Sequence, residues 1–133
     1  LTLMMLDLDG LKSINDIHGH ETGDTVLQTI AARLNQHVHK TDTVARLGGD
    51  EFVLIINDLE NESAAAKNCT NLIHSINQPI SINNVEVNVG VSIGIVFQPH
   101  LNKSRSDILR MADSAMYQAK ISGKNRYVFA NRD

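Results

Sequence analysis

The chain has 133 residues, of which 42% are hydrophobic and 20% charged, with a net charge of −3. This is the make-up of a water-facing globular domain with enough length for a real core. It argues against a general binder of nucleic acid or anionic membrane, since both need a basic surface.

One cysteine, Cys69, excludes an internal disulfide and a thiolate metal cluster. The apolar opening LTLMML is too short to span a membrane and lacks the basic start of a signal peptide. The chain starts at Leu1 rather than Met, and we expect it to be one domain, residues 1–133, cut from a longer protein.

In chain order, residues 1–8 predict a buried strand that ends among acidic residues. The polar stretch after it holds Leu11, Ile14 and Ile17 at helical spacing, which predicts a short helix. From Asp24 to about Val38 the residues Val26, Leu27, Ile30, Ala31, Leu34 and Val38 share one helical face. Runs at 44–47 and 52–56 flank a Gly-Gly-Asp-Glu tip and predict a hairpin.

A helix is expected over 64–76, stopped before Pro79. Asn83-Asn84 predicts a tight turn, and Val85, Val87, Val89, Val91, Ile93 and Ile95 alternate as one unbroken strand. Residues 106–122 predict an amphipathic helix with Ile108, Leu109, Met111, Ala112, Ala115, Met116 and Ala119 inward. Gly123 ends it before a last strand, RYVFA. Mixed helices and strands with hairpins predict an α+β fold, helices packed on a mainly antiparallel sheet.

Asp7 and Asp9 are two residues apart, so on a strand they face the same side. With Asp50 and Glu51 at the hairpin tip beside that strand, three or four carboxylates would converge. Bare, they repel one another; a hard divalent cation removes the conflict, and Mg²⁺ needs only one or two carboxylates. The same residues also suit a solvated loop and an ordinary strand end, so the residues alone leave both readings open. No EF-hand loop and no GxxxxGK[ST] phosphate loop is present.

The stretch RLGGDEF at 46–52 resembles the signature of the GGDEF domains, the diguanylate cyclases. DLDGLKSINDIHGHETGDTVL from Asp7, VSIGI at 91–95 and ADSAMYQAKISGKNRY at 112–127 are similar to the family's other motifs, in the family's order. The resemblance implies a nucleotide-cyclase, ferredoxin-like fold, here without the family's N-terminal helix and the motif that precedes its first strand. It implies condensation of two GTP into cyclic di-GMP with release of two pyrophosphates, at two domains meeting face to face as a homodimer. A non-catalytic GTP-binding regulator coupled to a neighbouring domain is the alternative.

By the same resemblance, Asp7, the Leu8 carbonyl and Asp50 would hold Mg²⁺ (or Mn²⁺). Asp50 would serve as, or near, the base for the 3′-hydroxyl, and Glu51 would support the metal site. Gly48 and Gly49 would admit the nucleotide, Asn15 and Asp24 would read the guanine edge, and His20 would lie beside the substrate. Lys12, Lys120 and Lys124 would meet the triphosphate. His18, His37, His39, His74 and His100 are otherwise read as surface or packing residues.

The chain departs from the family's pattern at Gly10 and Leu11, and at Lys124, where arginine is common and bidentate phosphate geometry is lost. The family's R-x-x-D product-inhibition site reads His39-Lys40-Thr41-Asp42, which keeps the acid without the arginine and implies weak product feedback. The expected setting is cytoplasmic; sensory or phosphodiesterase domains, or a membrane anchor, are compatible with the parent protein but are not shown by this sequence. No nucleic-acid partner and no membrane contact by the domain itself are expected.

Overall fold

A computed structural model describes residues 1–98 and 103–130; His100 and the tail after Ala130 lie outside the described residues. The elements run β1 (Thr2–Asp9), α1 (Leu11–His18), α2 (His20–Gln36), β2 (Thr43–Gly48), β3 (Glu51–Ile56) and α3 (Glu62–Ile76). They continue with β4 (Ile80–Ile82), β5 (Val85–Val87), β6 (Gly90–Phe97), α4 (Arg105–Ile121) and β7 (Arg126–Phe129).

Five strands form the main sheet in the order β2-β3-β1-β6-β7, and β4-β5 is a separate hairpin. The pairs β1–β3, β1–β6 and β2–β3 are antiparallel, and only β6–β7 is parallel, so the expected mainly antiparallel α+β sheet is what forms. β1 is central because it is apolar on both faces. Met4, Leu6 and Leu8 are buried in the larger core with Val26, Ile30 and Leu34 of α2 and Cys69, Leu72 and Ile76 of α3. Met5 faces the other way, with Val53, Val96, Ala112 and Met116, into the smaller core under α4.

Each such aliphatic side chain removed from water is worth about 1.5–3 kcal/mol. Burial pushes the Cys69 thiol up to about 12, which leaves it an inert core group. Among the described residues no helix is long and apolar enough to cross a membrane.

Three expectations need correction. The strand over 85–95 is two strands in two sheets, broken at Asn88 and Val89. There the backbone is satisfied by a side chain instead of a ladder: Asn77 Nδ2 donates to the Val89 carbonyl at 3.3 Å, and Asn88 Nδ2 donates back to the Asn77 carbonyl at 3.1 Å. Val87 and Val89 are both buried, so the apolar alternation runs straight through the break and conceals it.

The second helix starts at His20 rather than Asp24. Its first turn carries no apolar side chain, its buried position being Gly23, so apolar periodicity appears only from Val26 onward. Leu109 (37% exposed), expected inward, stands outside the core, and so does Ile17 (75% exposed) of the short helix α1. The Asn83-Asn84 turn forms as expected, with φ of 50° and 66°.

Candidate active site

Odd-numbered residues of β1 face α4, so Asp7 and Asp9 emerge together on that side while Leu6 and Leu8 enter the main core. Their roles separate at once. Asp9 is fully engaged: Ser92 Oγ lies 3.0 and 2.9 Å from its two oxygens, Lys120 Nζ donates to Oδ1 at 3.1 Å, and the Asn125 N–H donates to Oδ2 at 3.0 Å. Asp7 shares the same lysine through Oδ2, at 3.1 Å. Its other oxygen, Oδ1, is buried and has no hydrogen-bond partner among the described residues.

A buried, unsatisfied carboxylate oxygen is costly and calls for a partner. Burial pushes the Asp7 carboxyl up to about 6, aided by the neighbouring Asp50 charge and opposed by Lys120. Lys120 is raised: partial burial alone would lower it, but its bonds to Asp9 and Asp7 outweigh that.

The hairpin between β2 and β3 sits beside this pair because β3 is β1's neighbour. Asp7 is directly opposite Glu51 in register, and the Leu8 N–H donates to the Asp50 carbonyl at 3.0 Å, which carries the pairing into the turn. Gly49, with φ of 52°, takes the left-handed corner. Arg46 braces it, donating from Nε and Nη2 to the Gly49 carbonyl at 3.0 and 2.7 Å.

The acidic residues thus meet, but not as three or four free carboxylates. Among the described residues no group of three or more acids, histidines or cysteines is arranged around a common metal position. Asp9 is spent on the α4 contact. What remains is the orphaned Asp7 oxygen and Asp50 beside it. That donor set suits a small oxygen-seeking cation such as Mg²⁺, which takes few protein ligands.

Two clefts open on the other side of the turn. One, of about 360 Å³, is lined by Lys12, Asn15, Gly49 and Asp50 among others; the next, of about 410 Å³, includes Asp24 and Gln28. Leu27 and Arg46 line both, so Asn15 and Asp24 belong to adjoining parts of one groove. Asn15 Oδ1 is buried there without a hydrogen-bond partner. A larger cleft of about 610 Å³ lies between α4 and β7, away from these carboxylates. Volume alone is a poor guide here: the smaller groove holds the convergent polar groups.

Residues 1–126 match the family model described as diguanylate cyclase, GGDEF domain. The chain belongs to the GGDEF domain family. It is 43% identical over 127 residues to the bifunctional diguanylate cyclase/cyclic di-GMP phosphodiesterase MucR of Pseudomonas aeruginosa, spanning 96% of this chain and 18% of MucR. Its fold is similar to the crystal structure of the GGDEF domain of YfiN, also called TpbB, from the same organism. There the TM-score is 0.92 at 35% identity, over 99% of this chain and 83% of that one. The GGDEF domain of DgcB from Caulobacter crescentus, solved in complex with c-di-GMP, aligns with a TM-score of 0.88 at 28% identity, over 96% of this chain and 76% of that one.

Within this GGDEF domain the other expected residues are scattered. Lys12 lies in the groove beside Asn15, Lys120 between the carboxylates, and Lys124, at φ 63°, in a third cleft with Asp9 and Gly10. Gly48 is exposed in the turn, and His20 is exposed at the head of α2, outside the residues lining either groove cleft.

Asp42 is occupied: its carboxylate accepts the His39 and Asn57 N–H groups at 2.9 and 3.0 Å, tying the loop before β2 to the end of β3. Asp42, the acid of the expected degenerate product-inhibition site, is therefore part of a structural clasp in this domain.

Four residues shape the site without having been singled out in the sequence as contributors: Gly23, Arg46, Ser92 and Asn125. Gly23 had a signal, since glycine inside a helix costs about 1 kcal/mol and needs a reason. Ser92 had a weaker one, as a polar residue among consecutive buried positions of β6. Arg46 and Asn125 had none, because their partners are distant in sequence or defined only by the turn.

Proposed function

We propose that this GGDEF domain condenses two molecules of GTP into cyclic di-GMP. Each 3′-hydroxyl attacks the other nucleotide's α-phosphorus; a new P–O bond forms, the α–β P–O bond breaks, and pyrophosphate leaves with its electron pair. The observation that carries this reading is the buried, unpartnered Asp7 Oδ1 beside Asp50, which itself lines a groove whose other residues suit a guanine base.

Asn15 offers an amide and Asp24 a carboxylate, which together match guanine's acceptor and its N1–H and amino donors. Gly10 supplies no side-chain cap to α1, so the first amides of that helix are free to meet phosphate oxygens, with Lys12, Lys120 and Lys124 around them. Asp7, the Leu8 carbonyl and Asp50 would hold Mg²⁺ or Mn²⁺, with Glu51 in support. That ion supplies charge neutralisation and phosphoryl polarisation when bound. Asp50 accepts the proton of the 3′-hydroxyl, directly or through water. Gly49 keeps the turn narrow enough for the nucleotide to lie against it.

One domain holds one GTP and half of the reaction, so two copies must meet face to face. The test is incubation of the chain with GTP and Mg²⁺, separating the nucleotides chromatographically at several protein concentrations. Cyclic di-GMP produced at a rate rising faster than protein concentration supports the reading. GTP left intact at high protein concentration, with tight GTP binding, supports a regulatory GTP-binding domain instead. That second reading draws on MucR, whose name includes a phosphodiesterase and of which this chain spans 18%.

A further inference from the structure

We propose that Lys120 is the resident counter-ion of this site: it holds Asp7 in place, is displaced from Asp7 when a divalent cation binds, and so couples metal binding to nucleotide binding. The inference rests on the reading of Asp7 as a metal ligand and adds a competitor for that ligand.

Lys120 Nζ bridges the two acids of β1, 3.1 Å from Asp7 Oδ2 and 3.1 Å from Asp9 Oδ1. It reaches them from the last turn of α4, where the helix dipole also favours a cation. The three side chains are largely shielded, with Lys120 26%, Asp7 14% and Asp9 9% exposed, so the attraction is weakly screened. An ammonium and a divalent cation on the same carboxylate repel each other, which weakens the lysine's hold on Asp7 when the cation takes Oδ1.

The surroundings decide which contact gives way. Asp9 keeps Ser92 Oγ and the Asn125 N–H whether or not the lysine stays. Asp7 has no such reserve, because its other oxygen is already unpartnered. Lys120 can therefore leave Asp7 without stranding Asp9. Its ammonium, on a flexible stem, then needs another anion, and a triphosphate delivers one together with the metal. Metal alone must break the Lys120–Asp7 pair with only Asp9 left to hold the ammonium, and so binds weakly; metal with nucleotide does not.

The test compares Mn²⁺ binding by calorimetry to the full chain and to Lys120→Met, first without nucleotide and then with a non-hydrolysable GTP analogue. Removing the competing charge is expected to tighten Mn²⁺ alone by about tenfold. The same change should shrink the gain in Mn²⁺ affinity that the analogue brings to the unmodified chain. Equal or weaker Mn²⁺ binding by Lys120→Met overturns the proposal, as does Mn²⁺ binding to neither protein.

Should Lys120→Met fail to fold, lysine ammonium NMR on the unmodified chain decides. A protected Lys120 signal that disappears when Mg²⁺ is added supports displacement, and one that persists at saturating Mg²⁺ overturns it. Cyclic di-GMP formation is scored separately. Product without the Lys120 effect removes only this inference; the Lys120 effect without product removes only the cyclase reading.

Discussion

Gly23 lies against the Asn15 carboxamide so closely that a β-carbon at position 23 would stand 1.7 Å from Asn15 Oδ1. α1 and α2 can bring Asn15 and Asp24 into one groove only because the second helix has no side chain at that point. Gly23→Ala should gain up to about 1 kcal/mol of helix propensity and still lose guanine nucleotide affinity by roughly tenfold or more, because Asn15 must swing away. Calorimetry with a GTP analogue, alongside thermal denaturation, checks both halves. Unchanged nucleotide affinity would remove Asn15 from the base-reading role.

Arg46 and the Gly49 carbonyl form the brace of the acidic turn. Arg46→Ala should leave the fold intact, since the side chain is exposed, but let the turn carrying Asp50 drift. Two charge-assisted hydrogen bonds are at stake, about 1.5–3 kcal/mol each at most and less at an exposed position, so turnover should fall on the order of tenfold to a hundredfold. Arg46→Lys should not restore it, because one ammonium cannot reproduce the two-pronged contact. Product formation rates with circular dichroism as a folding control decide the point.

Asp42 is the acid of the expected degenerate product-inhibition site, yet its carboxylate holds the His39 and Asn57 amides. Asp42→Ala should therefore destabilise the domain by about 1–3 kcal/mol in urea denaturation, with no change in sensitivity to cyclic di-GMP. Micromolar product binding that vanishes in the variant would show that the acid still serves inhibition.

The Asp7 carboxyl, raised to about 6 chiefly by burial, sets a pH dependence with a definite sign. The native state holds this proton more tightly than the unfolded chain, so Asp7's contribution to metal-free stability falls as pH rises from about 4 through 6. Metal binding runs the other way, because the cation needs the ionised form: Mg²⁺ affinity should climb over the same range and level off above it. Asp7→Asn should flatten the Asp7 part of the stability slope and abolish the metal's dependence. Denaturation curves and metal titrations from about pH 3.5 to 7.5, covering that window, separate the two effects.

Much of this domain is legible in the chain because its determinants are local. The apolar run of β1, the alternating valines and isoleucines of β6, the Asn83-Asn84 turn, the apolar stripes of α2 and α4 and the Gly-Gly-Asp-Glu corner are each written in a few adjacent residues. The spacing of Asp7 and Asp9 likewise places both acids on one side of a strand.

What only the tertiary structure decides is which of them has its bonding satisfied. That depends on Ser92, Lys120 and Asn125, which arrive from far along the chain. The break between β5 and β6 is hidden for the same reason: its backbone partners are side chains on the α3 terminus, and the valines on both sides stay buried. Apolar period reports which way a residue faces; it does not report which groups satisfy a polar side chain's hydrogen bonds, and at this site that pairing separates the fully bonded Asp9 from Asp7, one of whose oxygens has no partner among the described residues.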